Sequence, residues 1–230
     1  GHAVHFAQRI AAQLAAAGVS VYVGSRDHER GQRAVDEIGG KARLLVLDVT
    51  DADSIADAVR QVETLDILVN NAGISLDTAS SPDASDVDTF RSTYETNVFG
   101  VAAVTNAFLP LLRRSAKPRI VNVSSGTASL VWSTGPNPQF KFGSGAGAAY
   151  RSSKTALNAL TVFYALELAE AGVKVNALAP GLRATDLNAF AAASGGDPAE
   201  AAAGAVRLAL LPDDGPTGGF FSWDGTAVPW

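Results

Sequence analysis

Ile67-Leu68-Val69 is an unbroken apolar run that stops in Asn70-Asn71-Ala72-Gly73, and the chain repeats this pattern from end to end. A short run apolar on every side reads as a strand covered on both faces, as in parallel sheets. Working outward, Val19 to Val23 is such a strand, ending at Gly24-Ser25-Arg26, and Leu44 to Leu47 is another, followed by Asp48-Val49. Ile120-Val121-Asn122-Val123 leads into Ser124-Ser125-Gly126, Val173 to Leu178 is closed by Pro180-Gly181, and Phe220-Phe221-Ser222-Trp223 supplies a last strand.

The stretches between read as helices. Ile10 and Leu14 have helical spacing, with Gly18 as a stop. Asp27 caps a second helix that runs to Ile38 and is closed by Gly39-Gly40. Thr50-Asp51-Ala52-Asp53 reads as a capping box before a helix through Val62. Val87 to Arg114 is an extended helix containing Asn97 and Gly100, with Pro110 near its end. Tyr150 opens a helix that reaches Ala171. Residues 127–147, rich in Gly, Ser and Pro, are loop. Strands alternating with helices give an α/β chain: a doubly wound, mostly parallel Rossmann-like sheet with helices on both faces, in three layers. We see no repeat, linker or second domain, so residues 1–230 read as one domain.

Composition removes several function classes. Apolar residues are 47% and charged residues 18%, the balance of a globular chain rather than a disordered one. The net charge of −5 comes without a Lys/Arg cluster, which argues against nucleic acid. No run is long enough to span a membrane and no signal peptide is visible, so no membrane partner and a cytoplasmic location are expected. Cysteine is absent, which rules out disulfides and thiolate chemistry. His2, His5 and His28 are not spaced as metal ligands. Methionine is absent too, so the chain is read as beginning after the translation start.

In such sheets ligands sit beyond the carboxyl ends of the strands. Ser25-Arg26, Asp48-Val49, Asn71-Ala72-Gly73, Ser124-Ser125 and Pro180-Gly181 all fall there. Singly, each has a plain structural explanation: a loop acid, a turn, a chain break. Tyr150-Arg151-Ser152-Ser153-Lys154 adds a phenol and an ammonium four residues apart on one helix face. An ammonium beside a phenol stabilises the phenolate and draws its pKa toward the working range. Alone, the pair is equally what a half-buried tyrosine beside a solvated lysine gives.

In order along the chain, Asn70-Asn71-Ala72-Gly73, Asn97-Val98-Phe99-Gly100, Ser124-Ser125, Tyr150-x-x-x-Lys154 and Pro180-Gly181-x-x-x-Thr185 resemble the motifs of the short-chain dehydrogenase/reductase family. Tyr150 through Asn158 and Gly215 through Ser222 are similar to its carbonyl-reductase-like branch. The resemblance implies an oxidoreductase moving hydride between a nicotinamide and a carbonyl or alcohol, a small molecule. It implies a catalytic set of Asn97, Ser125, Tyr150 and Lys154: Tyr150 as proton donor, Ser125 on the carbonyl oxygen, Lys154 on the phenol and the ribose, and Asn97 positioning a water. Ser124 is the alternative to Ser125. Cofactor contacts are expected from Ser25, Arg26, Asp48, Val49, Asn71, Ala72, Gly73, Tyr150, Lys154, Pro180, Gly181 and Thr185.

An acid at the end of the second strand would bond a ribose 2′-hydroxyl. Ser25-Arg26 stands there instead, a hydroxyl and a guanidinium suited to a 2′-phosphate, so NADP(H) is favoured over NAD(H). Asp27 is assigned to its helix cap. The spacing from Ser125 to Tyr150 exceeds the family's, and residues 130–145 are read as an insertion. Trp132, Phe140 and Phe142 on it are either a substrate rim or a cluster that packs the loop. Such an insertion also favours a monomer over a homo-oligomer. Residues 186–205, rich in Ala, Gly and Ser, read as a mobile lid.

The family's first strand and glycine-rich phosphate turn are not recognisable before Ala7. A stretch left out between Phe6 and Ala7 is the expectation, with Ala3-Val4-His5-Phe6 a remnant of the strand. True truncation is the alternative. It would give a non-catalytic nucleotide-sensing or partner-binding protein with an impaired cofactor site.

Overall fold

The computed structural model describes residues 6–77, 80–137, 144–182 and 196–230. Helix α1 (Phe6–Ala16) buries Ile10, Ala11 and Leu14 on one face and ends before Gly18, whose φ of 88° suits glycine. Strand β1 (Tyr22–Ser25) leads to α2 (His28–Ile38), where the Asp27 carboxylate accepts from the Arg30 N–H at 2.7 Å. Strand β2 (Arg43–Val46) leads to α3 (Ala52–Arg60). The cap of α3 is Asp51, which accepts from the N–H groups of Asp53 and Ser54. Thr50, read as the start of a capping box, instead donates to Asp48. Then come β3 (Ile67–Asn70), α4 (Val87–Tyr94), a π-helical turn (Glu95–Gly100), α5 (Val101–Leu112) and β4 (Arg119–Val123). A short 3₁₀ turn (Gly126–Ala128) and α6 (Leu130–Thr134) precede α7 (Ala148–Glu167), β5 (Lys174–Ala179), α8 (Pro198–Ala209) and β6 (Phe220–Ser222).

Every ladder between these strands is parallel. One sheet is β1-β2, and the other runs β3-β4-β5-β6. Alternation along β4 and β5 sends Val121 and Leu178 toward α1 and α8, while Ile120 and Val175 pack with Leu112, Ala165 and Leu168 of α5 and α7. Helices therefore cover both faces, the three-layer α/β arrangement. Among the described residues no ladder joins β1 to β3. Both instead wall a cavity of about 2170 Å³, together with apolar residues of α1 and α5.

Further readings of the sequence change. Phe6, read with Ala3-Val4-His5 as a strand remnant, opens α1. The helix expected over Val87–Arg114 is two α-helices joined by the π turn, and Pro110 lies inside α5, two residues before its end. Part of the stretch read as loop, including Trp132, is the short helix α6. Residues 198–205, read as lid, belong to α8: Ala201, Ala202 and Ala205 are fully buried, the last two in the core with α1 and the sheet. Phe140, Phe142 and residues 183–195 lie outside the described residues.

Candidate active site

Helix α7 brings Tyr150 and Lys154 to one wall of the cavity. Lys154 is only 3% exposed, and its Nζ donates to the Val123 carbonyl at the end of β4 at 2.9 Å. That nitrogen stands 5.9 Å from the Tyr150 ring centroid, over the ring. A solvated surface lysine is thereby ruled out. The Ser125 side chain stands close enough to the Tyr150 hydroxyl to act on it. Tyr150 is half-buried at the cavity wall and crowded by protein, and burial pushes its phenol up to about 12 against the smaller lowering effect of Ser125. Burial likewise pushes Lys154 down to about 8. The sequence reading had the ammonium lowering the phenol; here burial raises it, only Ser125 acts the other way, and the ammonium is engaged by Val123.

Adjacent serines take different roles. Ser124, 2% exposed, donates to Asn158 Oδ1 at 2.6 Å on the next turn of α7. Ser125 is half-buried, opens on the cavity beside Tyr150, and shares a hydrogen bond with the Thr127 hydroxyl at 2.9 Å. Asn97 sits in the π turn, fully buried, behind the wall rather than on it. Its Oδ1 accepts from the Ile74 N–H at 2.8 Å, and its Nδ2 donates to the Ile74 carbonyl and to Ser153 Oγ, both at 2.9 Å. A Cβ on Gly73 would lie 3.2 Å from Lys154 Nζ and 3.5 Å from Asn97 Oδ1, so the loop after β3 presses against both. No sequence pattern marked Asp77, which reaches from that loop to the start of α7 and is 2% exposed.

The other expected residues gather round the same cavity. Ser25, Arg26, Asp48, Val49, Asn71, Ala72, Gly73, Pro180 and Gly181 all line it, while Thr185 lies outside the described residues. Asp48 accepts from the Thr50 N–H and hydroxyl at 2.9 and 2.7 Å. These bonds, with a smaller contribution from Arg26, hold its carboxyl below the usual range. Ser25 Oγ donates to the Asp27 carbonyl at 2.8 Å, and the Asp27 side chain is spent on its helix. A nicotinamide nucleotide fits both ends of this set. The glycine at position 73 admits close approach beside Lys154, and the Ser25-Arg26 end presents a hydroxyl and an exposed guanidinium. Among the described residues no glycine turn serves the pyrophosphate, no three His, Asp or Glu side chains are grouped to hold a metal, and no helix is long and apolar enough to cross a membrane.

Residues 1–194 match the short chain dehydrogenase family model. The salutaridine reductase of Papaver bracteatum is 32% identical, over 92% of this chain and 89% of its own. Among solved structures, an NADPH-bound carbonyl reductase from chicken fatty liver matches with a TM-score of 0.75 at 26% identity, covering 91% of this chain and 87% of that one. A 3-ketoacyl-(acyl-carrier-protein) reductase from Brucella melitensis, complexed with NADH, matches at 0.81 and 25% identity, covering 95% and 91%. A parallel three-layer sheet, a tyrosine and lysine one helical turn apart on its crevice, and these matches over most of the chain agree: the chain belongs to the short-chain dehydrogenase/reductase family of oxidoreductases.

Proposed function

We propose that this chain is an NADPH-dependent carbonyl reductase with Tyr150 as proton donor. One observation carries the reading: Tyr150 and Ser125 stand side by side next to a buried Lys154, on the wall of the cavity that Ser25, Arg26 and Gly73 also line. Bound there, the nicotinamide would supply hydride. A carbonyl oxygen gaining negative charge needs donors already in place, and the Tyr150 and Ser125 hydroxyls are two such groups. A phenol held protonated by burial is in the right state to give its proton at neutral pH. Lys154 would hold the ribose hydroxyls and offset the charge left on Tyr150. Asn97 would keep the loop carrying Gly73 against Lys154.

Family members of this fold hold NADPH or NADH, so the preference rests on the chain's own Ser25-Arg26. A 2′-phosphate favours a bidentate guanidinium and a small hydroxyl, and the nearby Asp27 carboxylate is committed to α2.

The test follows NADPH absorbance with a panel of aldehydes, ketones and quinones. Tyr150→Phe is expected to lose on the order of 10²–10⁴ in turnover, the usual worth of a positioned acid. Full turnover in that variant would overturn the reading. Arg26→Ala is expected to raise KM for NADPH by about tenfold or more and leave NADH nearly unchanged. An equal effect on both cofactors overturns the NADPH preference alone.

A further inference from the structure

We propose that Asp77 is a positioning residue for Tyr150, setting where the phenol meets Ser125; this rests on the reductase reading above. The N-cap of α7 is Gly147, at φ 73°, which has no side chain to accept the first helical N–H groups. A cap side chain ordinarily accepts from the second or third helical residue. Here those residues are Ala149 and Tyr150, and both N–H groups go to one carboxylate brought from 72 positions upstream. Asp77 Oδ2 accepts from Ala149 at 2.7 Å, and Oδ1 accepts from Tyr150 at 3.2 Å. The negative charge also faces the positive end of the helix dipole, which offsets the cost of burying it.

The carbonyl of the same residue is tied, indirectly, to the same loop. Ser153 Oγ donates to the Tyr150 carbonyl at 2.7 Å and accepts from Asn97 Nδ2 at 2.9 Å. Asn97 in turn grips the N–H and carbonyl of Ile74, three residues before Asp77. A further clasp joins the segments, since the Ser80 N–H donates to the Asp77 carbonyl and the Gly147 N–H to the Ser80 carbonyl. Tyr150 is thus held at its N–H directly by the loop that continues Asn71-Ala72-Gly73, and at its carbonyl through Ser153 of α7 and Asn97 of the π turn, which grips that loop. A cap meant only to stabilise α7 would not need this second tether. The pair of tethers fixes the phenol relative to the loop on which the cofactor would rest.

The experiment compares Asp77→Ala and Asp77→Asn with Asp86→Ala, which removes the cap of α4, where Asp86 accepts from the Thr89 N–H. Asp77→Ala is expected to lower kcat on the order of 10–100-fold, as a misplaced catalytic group does, with KM for NADPH kept within about twofold. Asp77→Asn keeps one acceptor, and about a 3–10-fold loss in kcat is expected; it decides the matter if the alanine variant does not fold. Amide exchange at residues 149–153 should quicken in the Asp77 variants and not in Asp86→Ala. A kcat that matches Asp86→Ala, or unaltered exchange at those amides, overturns the proposal. If wild-type protein reduces no carbonyl, it is the reductase reading that fails. Asp77 is then judged by ultraviolet titration of Tyr150, taken as the difference from Tyr150→Phe. There, Asp77→Ala must lower the apparent pKa by about one unit or more as water reaches the phenol, and an unmoved titration overturns the proposal.

Discussion

Lys154 carries a proton that its surroundings disfavour. Burial lowers its pKa from an ordinary 10.5 to about 8, so between those values the unfolded chain holds more protons than the folded one. Stability therefore rises with pH across that window. Tyr150 acts the other way: its folded value is about 12 against an ordinary 10.0, so from pH 10 to 12 the folded chain holds the extra proton and stability falls. Thermal unfolding as a function of pH should climb from about 8 and turn over near 10, by on the order of 1–3 kcal/mol on each limb. Lys154→Met should remove the climb and Tyr150→Phe the decline. A Lys154→Met profile parallel to wild type would show that the lysine is not buried as described. At this scale the sequence was informative where chemistry is local. Tyr150 and Lys154 share a helix face by spacing alone, and Asp27 announces its cap. Asp77 and the turn of Ser124 toward Asn158 were not readable, because each depends on a partner that only folding brings near.

The π turn Glu95–Gly100 shows what an element contributes beyond its residues. One widened turn lets Asn97 point inward to Ile74 and Ser153, and such bulges recur at functional sites. It also sets the closest approach of helix to loop. A Cβ at Gly100 would fall 2.9 Å from both the carbonyl oxygen and Cγ2 of Val49, and the oxygen belongs to backbone and cannot swing away. Gly100→Ala should therefore shift the Val49 loop, costing about 1–3 kcal/mol of stability. It should also raise KM for NADPH more than it lowers kcat. Steady-state kinetics beside a melting curve checks this, and an unchanged melting temperature would show that the turn relaxes freely. The alanine-rich helix α8 marks the opposite limit of reading. Its buried face is built from Ala201, Ala202, Gly204, Ala205, Leu208 and Ala209, small residues apart from one leucine, and an Ala/Gly-rich stretch is easily read as loop. Asp197-Pro198, a cap followed by a proline at the first helical position, was the signal available.

Across the whole molecule the succession of strands was legible because each is an apolar run covered on both sides, and all but the last end in small or polar residues that gather at the crevice. What pattern alone could not give is how the two sheets meet. β1 is paired on one side by β2, and β3 on one side by β4, and an edge strand leaves half of its N–H and C=O groups without a strand partner. Both edges wall the cavity that also holds Ser25, Arg26, Tyr150 and Lys154, so the crevice and the junction between sheets are one space. β4, by contrast, is bonded on both sides and buried at every residue from Arg119 to Val123. Native-state hydrogen exchange should therefore be graded: slowest in β4 and β5, fastest among the strands for the amides of β1 and β3 that face the cavity. Binding of NADPH against Ser25, Arg26 and Gly73 should slow exchange in β1 and in the loop after β3 more than in β6, which lies at the far edge of its sheet. If β1 and β3 instead exchange as slowly as β4 without any nucleotide, their facing edges are bonded to further chain rather than open to the cavity.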